Sequence, residues 1–294
     1  MSSYYDRVKQ VVENIENNIE NDFDIKSLAK EYSLSPWHFQ RLFKGIVGDS
    51  LGGYMRGRRL TRGAELLLES ELDIIDIAVE VGFGSHEAFT RSFKKQFSQT
   101  PKEFRKLSPK VIPNRKPYLN KELQDYIFNG IEREPIIEVR EKIILSGYET
   151  TIPSPFYAAD TMCEGIYPTW MKLLGERNEV IPQNYAGVTL SPSGNYDEEN
   201  LQFLAAEFVV NPNSKNNERT EVTLPAQKIA KFKIKMDLNS DNLGRTIDYI
   251  YGFWLGNSGY IRGDGHDYEL FEGVKNFENF DEYSYYYFLP VEEA

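Results

Sequence analysis

Apolar positions recur at helical spacing through the first hundred residues. Val8, Val11, Val12, Ile15 and Ile19 share one face of a helix expected over residues 4–20. Asp24 offers a cap to a short helix starting at Ile25. Ser35 before Pro36 places a capping hydroxyl ahead of a residue that needs no N–H partner, so a helix starts there and runs to about Val47, ending at Gly48. Residues 51–69 form a longer helix with Leu60, Ala64, Leu67 and Leu68 inward. A second set begins near Asp73, turns at Gly82-Phe83-Gly84 and restarts at Ser85; Thr100-Pro101-Lys102-Glu103 then offers a capping box. From Pro135 the period changes to two. Strands are expected at 136–139, 143–148, 185–190, 201–210, 228–235, 268–272 and 283–289, with helices at 158–176 and 241–256. Strand, helix, strand, strand, twice over, implies an α+β domain.

The helical half repeats internally. Ser35-to-Lys44 aligns with Ser85-to-Lys94 at an offset of 50, pairing Phe39 with Phe89, Arg41 with Arg91, Phe43 with Phe93 and Lys44 with Lys94. Leu28-Ala29 aligns with Ile77-Ala78 at an offset of 49, because the second turn carries one extra residue. Two like-built helix-turn-helix units imply two reading heads for successive turns of DNA, about 34 Å apart. Composition changes at Ser108, where Pro109, Pro113 and Pro117 fall among polar neighbours. The chain is therefore multidomain: an all-α double helix-turn-helix domain at 1–108, a linker at 109–134 with a short helix near 119–128, and an α+β domain at 135–294.

A net charge of −11 argues against a DNA-binding reading until the chain is divided. Residues 1–110 carry 17 Lys and Arg against 16 Asp and Glu, leaving 17 against 29 for the rest. Cations cluster at Arg41, Lys44, Arg56, Arg58, Arg59, Arg62, Arg91, Lys94 and Lys95, which are expected on the DNA face. An acidic surface is more often a solubility feature, but this one would also favour cationic ligands. Cys163 is the only cysteine, so no intrachain disulfide forms, and the start of the chain lacks a signal-peptide pattern; a cytoplasmic location is expected. No apolar run is long enough to span a membrane.

A recognition helix needs an apolar stripe for its own domain and a polar face for DNA. In the first, Phe39, Leu42, Phe43 and Ile46 form the stripe, leaving Trp37, His38, Gln40, Arg41 and Lys44. In the second, Phe89, Phe93 and Phe97 pack inward, leaving His86, Glu87, Thr90, Arg91 and Lys94. Gln can pair with adenine and Arg with guanine in the major groove, while Lys44 and Lys94 suit phosphate. A lone exposed arginine is usually only solvated. Arg41 and Arg91 stand apart because they recur at equivalent positions. His38 and His86 lack a Cys or Asp partner at metal-ligand spacing.

On the stretches Ser35-to-Phe43 (SPWHFQRLF), Tyr54-to-Leu60 (YMRGRRL), Ile77-to-Phe83 (IAVEVGF) and Phe89-to-Arg105 (FTRSFKKQFSQTPKEFR), the chain resembles the AraC/XylS family of bacterial regulators over residues 5–107. The resemblance implies base-reading roles for Trp37, Gln40, Arg41, Thr90 and Arg91. Glu87 departs from the pattern and would repel phosphate unless it accepts from a cytosine amine.

The second half resembles the GyrI-like effector-binding domain. The matching segments are Tyr185-to-Val188, Leu224-to-Lys228, Ile250-to-Leu255 with Ser258-Gly259-Tyr260, Tyr268-to-Phe271 and Tyr287-to-Val291. The resemblance implies pseudo-twofold β-α-β-β repeats with a groove between them. It makes Glu269 the pocket acid, with Trp170, Trp254 and Tyr260 as neighbours and Glu207 as a second candidate. Phe271 stands where a tyrosine is usual. Aromatic faces around a carboxylate suit a flat cation. No Ser-His-Asp set, phosphate loop, dinucleotide fingerprint or metal cluster appears, so no catalytic residue, cofactor or metal is assigned.

The expected partners are double-stranded promoter DNA, RNA polymerase and a small cationic aromatic effector, with the chain acting as a monomer or homodimer and more often as an activator. The alternative is a hydrolase, or a ligand-sequestering module, tethered to a DNA-binding domain.

Overall fold

Hydroxyl caps set where the helices of the first half begin. In the computed structural model, which describes residues 4–31, 34–109, 112, 115–176, 183–190, 200–209, 218–235, 242–274 and 284–294, Ser35, Ser50, Ser85 and Thr100 each accept a hydrogen bond from a backbone N–H in the first turn that follows. The helices are α1 (Tyr4–Asn17), α2 (Ile25–Glu31), α3 (Pro36–Val47), α4 (Leu51–Glu69), α5 (Ile74–Glu80), α6 (His86–Phe97), α7 (Pro101–Leu107) and α8 (Lys121–Asn129). Asp24 accepts from the N–H groups of Lys26 and Ser27. Gly48 stops α3 at φ 78°, a left-handed conformation that a side chain would strain. The capping box at Thr100 and Glu103 is complete.

Contacts divide the chain into two compact units, Met1–Phe128 with Asp248–Asn257, and Asn129–Ile247 with Ser258–Ala294. In the first, α4 runs between the two helix-turn-helix units. The second of these packs Leu60, Ala64 and Leu67 of α4 against Ile77, Phe89, Phe93, Phe97 and Phe104. The first buries Phe39, Phe43, Leu28 and Ala29 with the apolar face of α1.

The segment 248–257 completes the first unit. Helix α10 (Asn242–Tyr249) widens into a π-helical turn at Ile250–Trp254 and then tightens into a 3-10 turn at Leu255–Asn257. Phe253 stacks on Tyr54 at 6.3 Å between centroids. Lys116 donates to Asp49 at 2.7 Å and to the Gly252 carbonyl at 2.8 Å, and its ammonium lies 4.2 Å from the Phe253 ring centroid. Burial lowers the Lys116 pKa even though Asp49 opposes the shift.

The second unit is a nine-stranded antiparallel sheet. Its strands are β1 (Ile136–Arg140), β2 (Ile143–Pro153), β3 (Gln183–Leu190), β4 (Asn200–Phe208), β5 (Thr220–Leu224), β6 (Gln227–Lys235), β7 (Tyr260–Arg262), β8 (Asp267–Val274) and β9 (Ser284–Glu293). The order is β1-β6-β9-β8-β3-β4-β2-β5, with β7 on the end of β9. With α9 (Pro155–Gly175), the units β2-α9-β3-β4 and β6-α10-β8-β9 give the expected repeats, meeting where β3 pairs with β8. One sheet face holds Leu145, Val188, Leu204, Leu270 and Phe288 as a core. Two strands, β5 and β7, were not expected from the sequence pattern. Val210, Asp241 and Tyr283, ends of expected elements, and the side chain of Cys163 lie outside the described residues. Among the described residues no helix is long and apolar enough to cross a membrane.

Candidate functional site

The two recognition helices keep the same division of labour. On α3, Trp37, His38, Gln40, Arg41 and Lys44 are exposed while Phe39 and Phe43 are buried. The Arg41 guanidinium lies 4.6 Å from the Trp37 ring centroid, one turn apart on the helix, so the indole, 66% exposed, holds the charge over its face. On α6, Arg91 and Lys94 are exposed and Thr90 is half-buried, its hydroxyl 3.5 Å from the His86 ring. Glu87 is held below its ordinary pKa by its own backbone N–H and the Ser85 hydroxyl, so its charge sits on the helix N-terminus.

The arginines of α4 correct the sequence expectation. Arg58 makes a two-nitrogen contact with Glu16, which also accepts from the Tyr54 hydroxyl, and donates to the Lys116 carbonyl at 2.8 Å. Arg59 donates to the carbonyls of Ile19, Asn21 and Gly82 and to Asp22. Arg62 pairs with Glu65 and Glu69. Arg58 and Arg59 tie α1 and the Gly82 turn to α4 and are not free cations for phosphate. Spacing on a basic helix could not show this, because the acceptors lie some forty residues away.

In the second unit, pairing register builds a recess around Glu269. Glu269 of β8 lies opposite Gly187 of β3 and opposite Tyr287 of β9. A Cβ on Gly187 would sit 3.2 Å from Trp170 and 3.1 Å from Phe203, so the missing side chain is what lets the α9 indole close over the strand. The edge of Trp170 meets Phe271 at 5.5 Å, and Phe271 stacks on Tyr285 at 5.1 Å. Tyr185 and Phe203 complete the aromatic wall, each 6.3 Å from Trp170. Burial pushes the Glu269 carboxyl up to about 7, against a lowering hydrogen bond from Tyr285. Among the described residues no Lys, Arg or His forms an ion pair with it. Two positions along β8, Asp267 by contrast accepts from Arg262 and from the Tyr287 hydroxyl.

The other sequence candidates fall elsewhere. Glu207 shares the Arg219 guanidinium with Glu176, at 2.6 Å and 2.5 Å, so its charge is already compensated. Tyr260 pairs in register with Glu293, six residues along β9 from the partner of Glu269, about 20 Å at the rise of a strand. Trp254 lies in the segment that clusters with the first unit. Each tryptophan precedes the middle strand of its repeat by the same interval, 170 to 183 and 254 to 267. Tyr285, Phe271, Tyr185 and Phe203 were not singled out as site residues by sequence. The alternation of residues along each strand was visible, but the register that brings the four to one recess was not.

Two family models divide the chain between them. A helix-turn-helix domain matches residues 28–107, and a GyrI-like small molecule binding domain matches residues 133–292, more than half of the chain. The chain belongs to the GyrI-like family. Its helical half joins an AraC-type helix-turn-helix domain to the GyrI-like domain. The Escherichia coli (strain K12) right origin-binding protein is 31% identical over 193 residues, covering 64% of either chain. Transcriptional regulator Rob of Salmonella typhimurium is 30% identical over 192 residues, again 64% of each. The probable transcription factor PqrA of Proteus vulgaris is 41% identical over 100 residues, 33% of this chain and 82% of that one. The GyrI-like chain thus spans just under two thirds of the length of the first two relatives, and its AraC-type half accounts for the third.

Proposed function

We propose that this protein is a sequence-specific DNA-binding transcription regulator whose GyrI-like domain senses a small amphipathic cation. The observation that carries the reading is Glu269: a carboxylate in an aromatic recess, with no cation paired to it among the described residues. A ligand supplying a positive charge and a flat apolar body would satisfy both the carboxylate and the rings. Trp37, Gln40, Arg41, Thr90 and Arg91 are the proposed base readers, with Lys44 and Lys94 on phosphate. The reading has the protein act in the cytoplasm beside RNA polymerase, and the names of its relatives support a regulator over an enzyme.

The test has two parts on the full chain. Selection from random duplex DNA should return a site, and Arg41→Ala should weaken binding to it by about 1–3 kcal/mol while leaving random DNA unaffected. Equal loss on both would make Arg41 a phosphate contact. Tryptophan fluorescence should then saturate with a cationic aromatic compound and not with its neutral or anionic counterpart, with the compound recovered intact. Altered compound would favour the hydrolase reading.

A further inference from the structure

The two ends of the sheet are equivalent in the repeat and unlike in surface. Ile136 pairs with Lys231 and Ile143 with Leu224 in one unbroken register, so β1 runs into β2, and β5 into β6, as a single ribbon. Strand β5 follows β1 at an offset of 84, the interval that also relates Trp170 to Trp254. Among the described residues each pairs on one side only, β1 with β6 and β5 with β2, and they close the strand order at opposite ends. Ile136, Ile137 and Val139 of β1 correspond to Thr220, Glu221 and Thr223 of β5. An edge of this fold therefore requires no aliphatic residue at these places. Polar and charged side chains on β5 blunt its open backbone against further pairing. On β1, Ile136 is 60% and Val139 73% exposed, one on each sheet face.

The charges of β1 fit this edge to a copy of itself. Glu138 and Arg140 lie on one sheet face and neither forms an ion pair among the described residues; Arg140 rests 4.6 Å from the Phe288 ring centroid. Opposed residues of an antiparallel pair share a sheet face, so a two-fold axis joining β1 to its copy must pass through a residue that faces itself. Centred on Glu138 or Arg140, the axis opposes like charges. Centred on Ile136 it sets Glu134 against Glu138, and on Ile137 it draws Pro135, which has no N–H, opposite Val139. Centred on Val139 it sets Glu138 of each copy against Arg140 of the other, and the exposed valine against itself. The net charge of −11 does not oppose the contact, because β6 alongside carries Lys228, Lys231, Lys233 and Lys235.

We infer that β1 is the contact through which two copies of this chain associate, their sheets continuing into one another antiparallel about Val139. The interface is isologous, so each copy supplies both the acid and the base of the two cross-strand pairs. A five-residue edge buries less area than a standard interface, and the association is correspondingly weak and concentration-dependent. The inference does not depend on the regulator reading; for a regulator, it joins two DNA-reading halves in one particle.

The test is sedimentation equilibrium of the full chain, from low micromolar to the highest soluble concentration, where monomer should pass into dimer. Glu138→Arg, which opposes arginine to arginine twice, should weaken the dimer by about tenfold, and the double substitution E138R/R140E should restore it. Val139→Thr, which installs the residue β5 carries at that place, should also weaken it, with the melting temperature of the monomer unchanged. With the native thiol removed by Cys163→Ser, Val139→Cys should give a disulfide-linked dimer on oxidation, because facing Cα atoms are about 4.5–5.5 Å apart. Ile137→Cys, on the same face but about 14 Å from its copy, should not. A chain that stays monomeric at every concentration would overturn the inference. So would a dimer indifferent to E138R and V139T, or one that crosslinks through Ile137→Cys in preference to V139C. If loss of the Arg140 contact with Phe288 unfolds E138R/R140E, the cysteine pair decides alone.

Discussion

Glu269 shows how much one residue's surroundings decide. With its carboxyl pushed up to about 7, it is roughly half protonated at neutral pH in the unliganded protein. A bound cation favours the ionised form, so cation affinity should rise with pH up to about 7 and level off above it. A titration series from pH 5.5 to 8.5 measures this, and a flat profile would remove Glu269 from the contact. Stability carries the opposite sign. The folded pKa lies above the ordinary 4.5, so the contribution is fully present below about 4.5 and is lost as pH rises through about 7. Glu269→Gln is therefore expected to stabilise the protein by about 1–3 kcal/mol at pH 8 and by little at pH 5, read from urea unfolding at each pH. The acid itself was legible in the Tyr268-to-Phe271 motif. Its neighbours were not: Gly187 matters because Trp170 closes over it, and nothing local announces a contact between a helix and a strand glycine. Arg58 and Arg59 failed for the same reason, since their acceptors are distant in sequence.

At the scale of elements, caps and periodicity carried the helical half. Serine and threonine caps, the Gly48 stop and the two aromatic stripes are local signals, and each appears where the pattern placed it. The misses have local causes as well. The three residues of β7 are too few to alternate, and β5 is a five-residue edge strand with only Leu224 fully buried. The helix expected at 241–256 divides into α, π and 3-10 segments, and Gly252 in the π-helical segment lies directly against Pro117. A Cβ at Gly252 would lie 2.3 Å from the Pro117 ring. Gly252→Ala should consequently cost about 1–3 kcal/mol of stability by overpacking, measured by denaturant unfolding. An unchanged midpoint would mean the turn relaxes freely away from the linker.

For the whole molecule, charge and composition place a division at Ser108, and the two family models match residues 28–107 and 133–292. Contacts do not follow it throughout, because residues 248–257 are counted with the helical unit. The fragment 1–128 would lose the stacking partner of Tyr54, and Lys116 would lose the Gly252 carbonyl. Its core should therefore be less stable than that of the intact protein, by several kcal/mol if Asp49 and Lys116 no longer hold their pairing. Amide hydrogen exchange in α3 and α4, compared between fragment and full chain, reads this directly; equal protection would show that the segment adds nothing. No periodicity could have revealed it, since the pattern of 248–257 belongs to a helix in either setting.

That shared segment also constrains how such a chain can diverge. Two halves joined only by a linker could be exchanged between genes and drift independently. Here Tyr54 and Lys116 on one side, and Gly252 and Phe253 on the other, occupy one small volume, so a change in either set alters what the other tolerates. Among related chains these four positions should substitute in concert, and a recombinant that inherits the helical half from one parent and the sheet from another should need repair at this joint first.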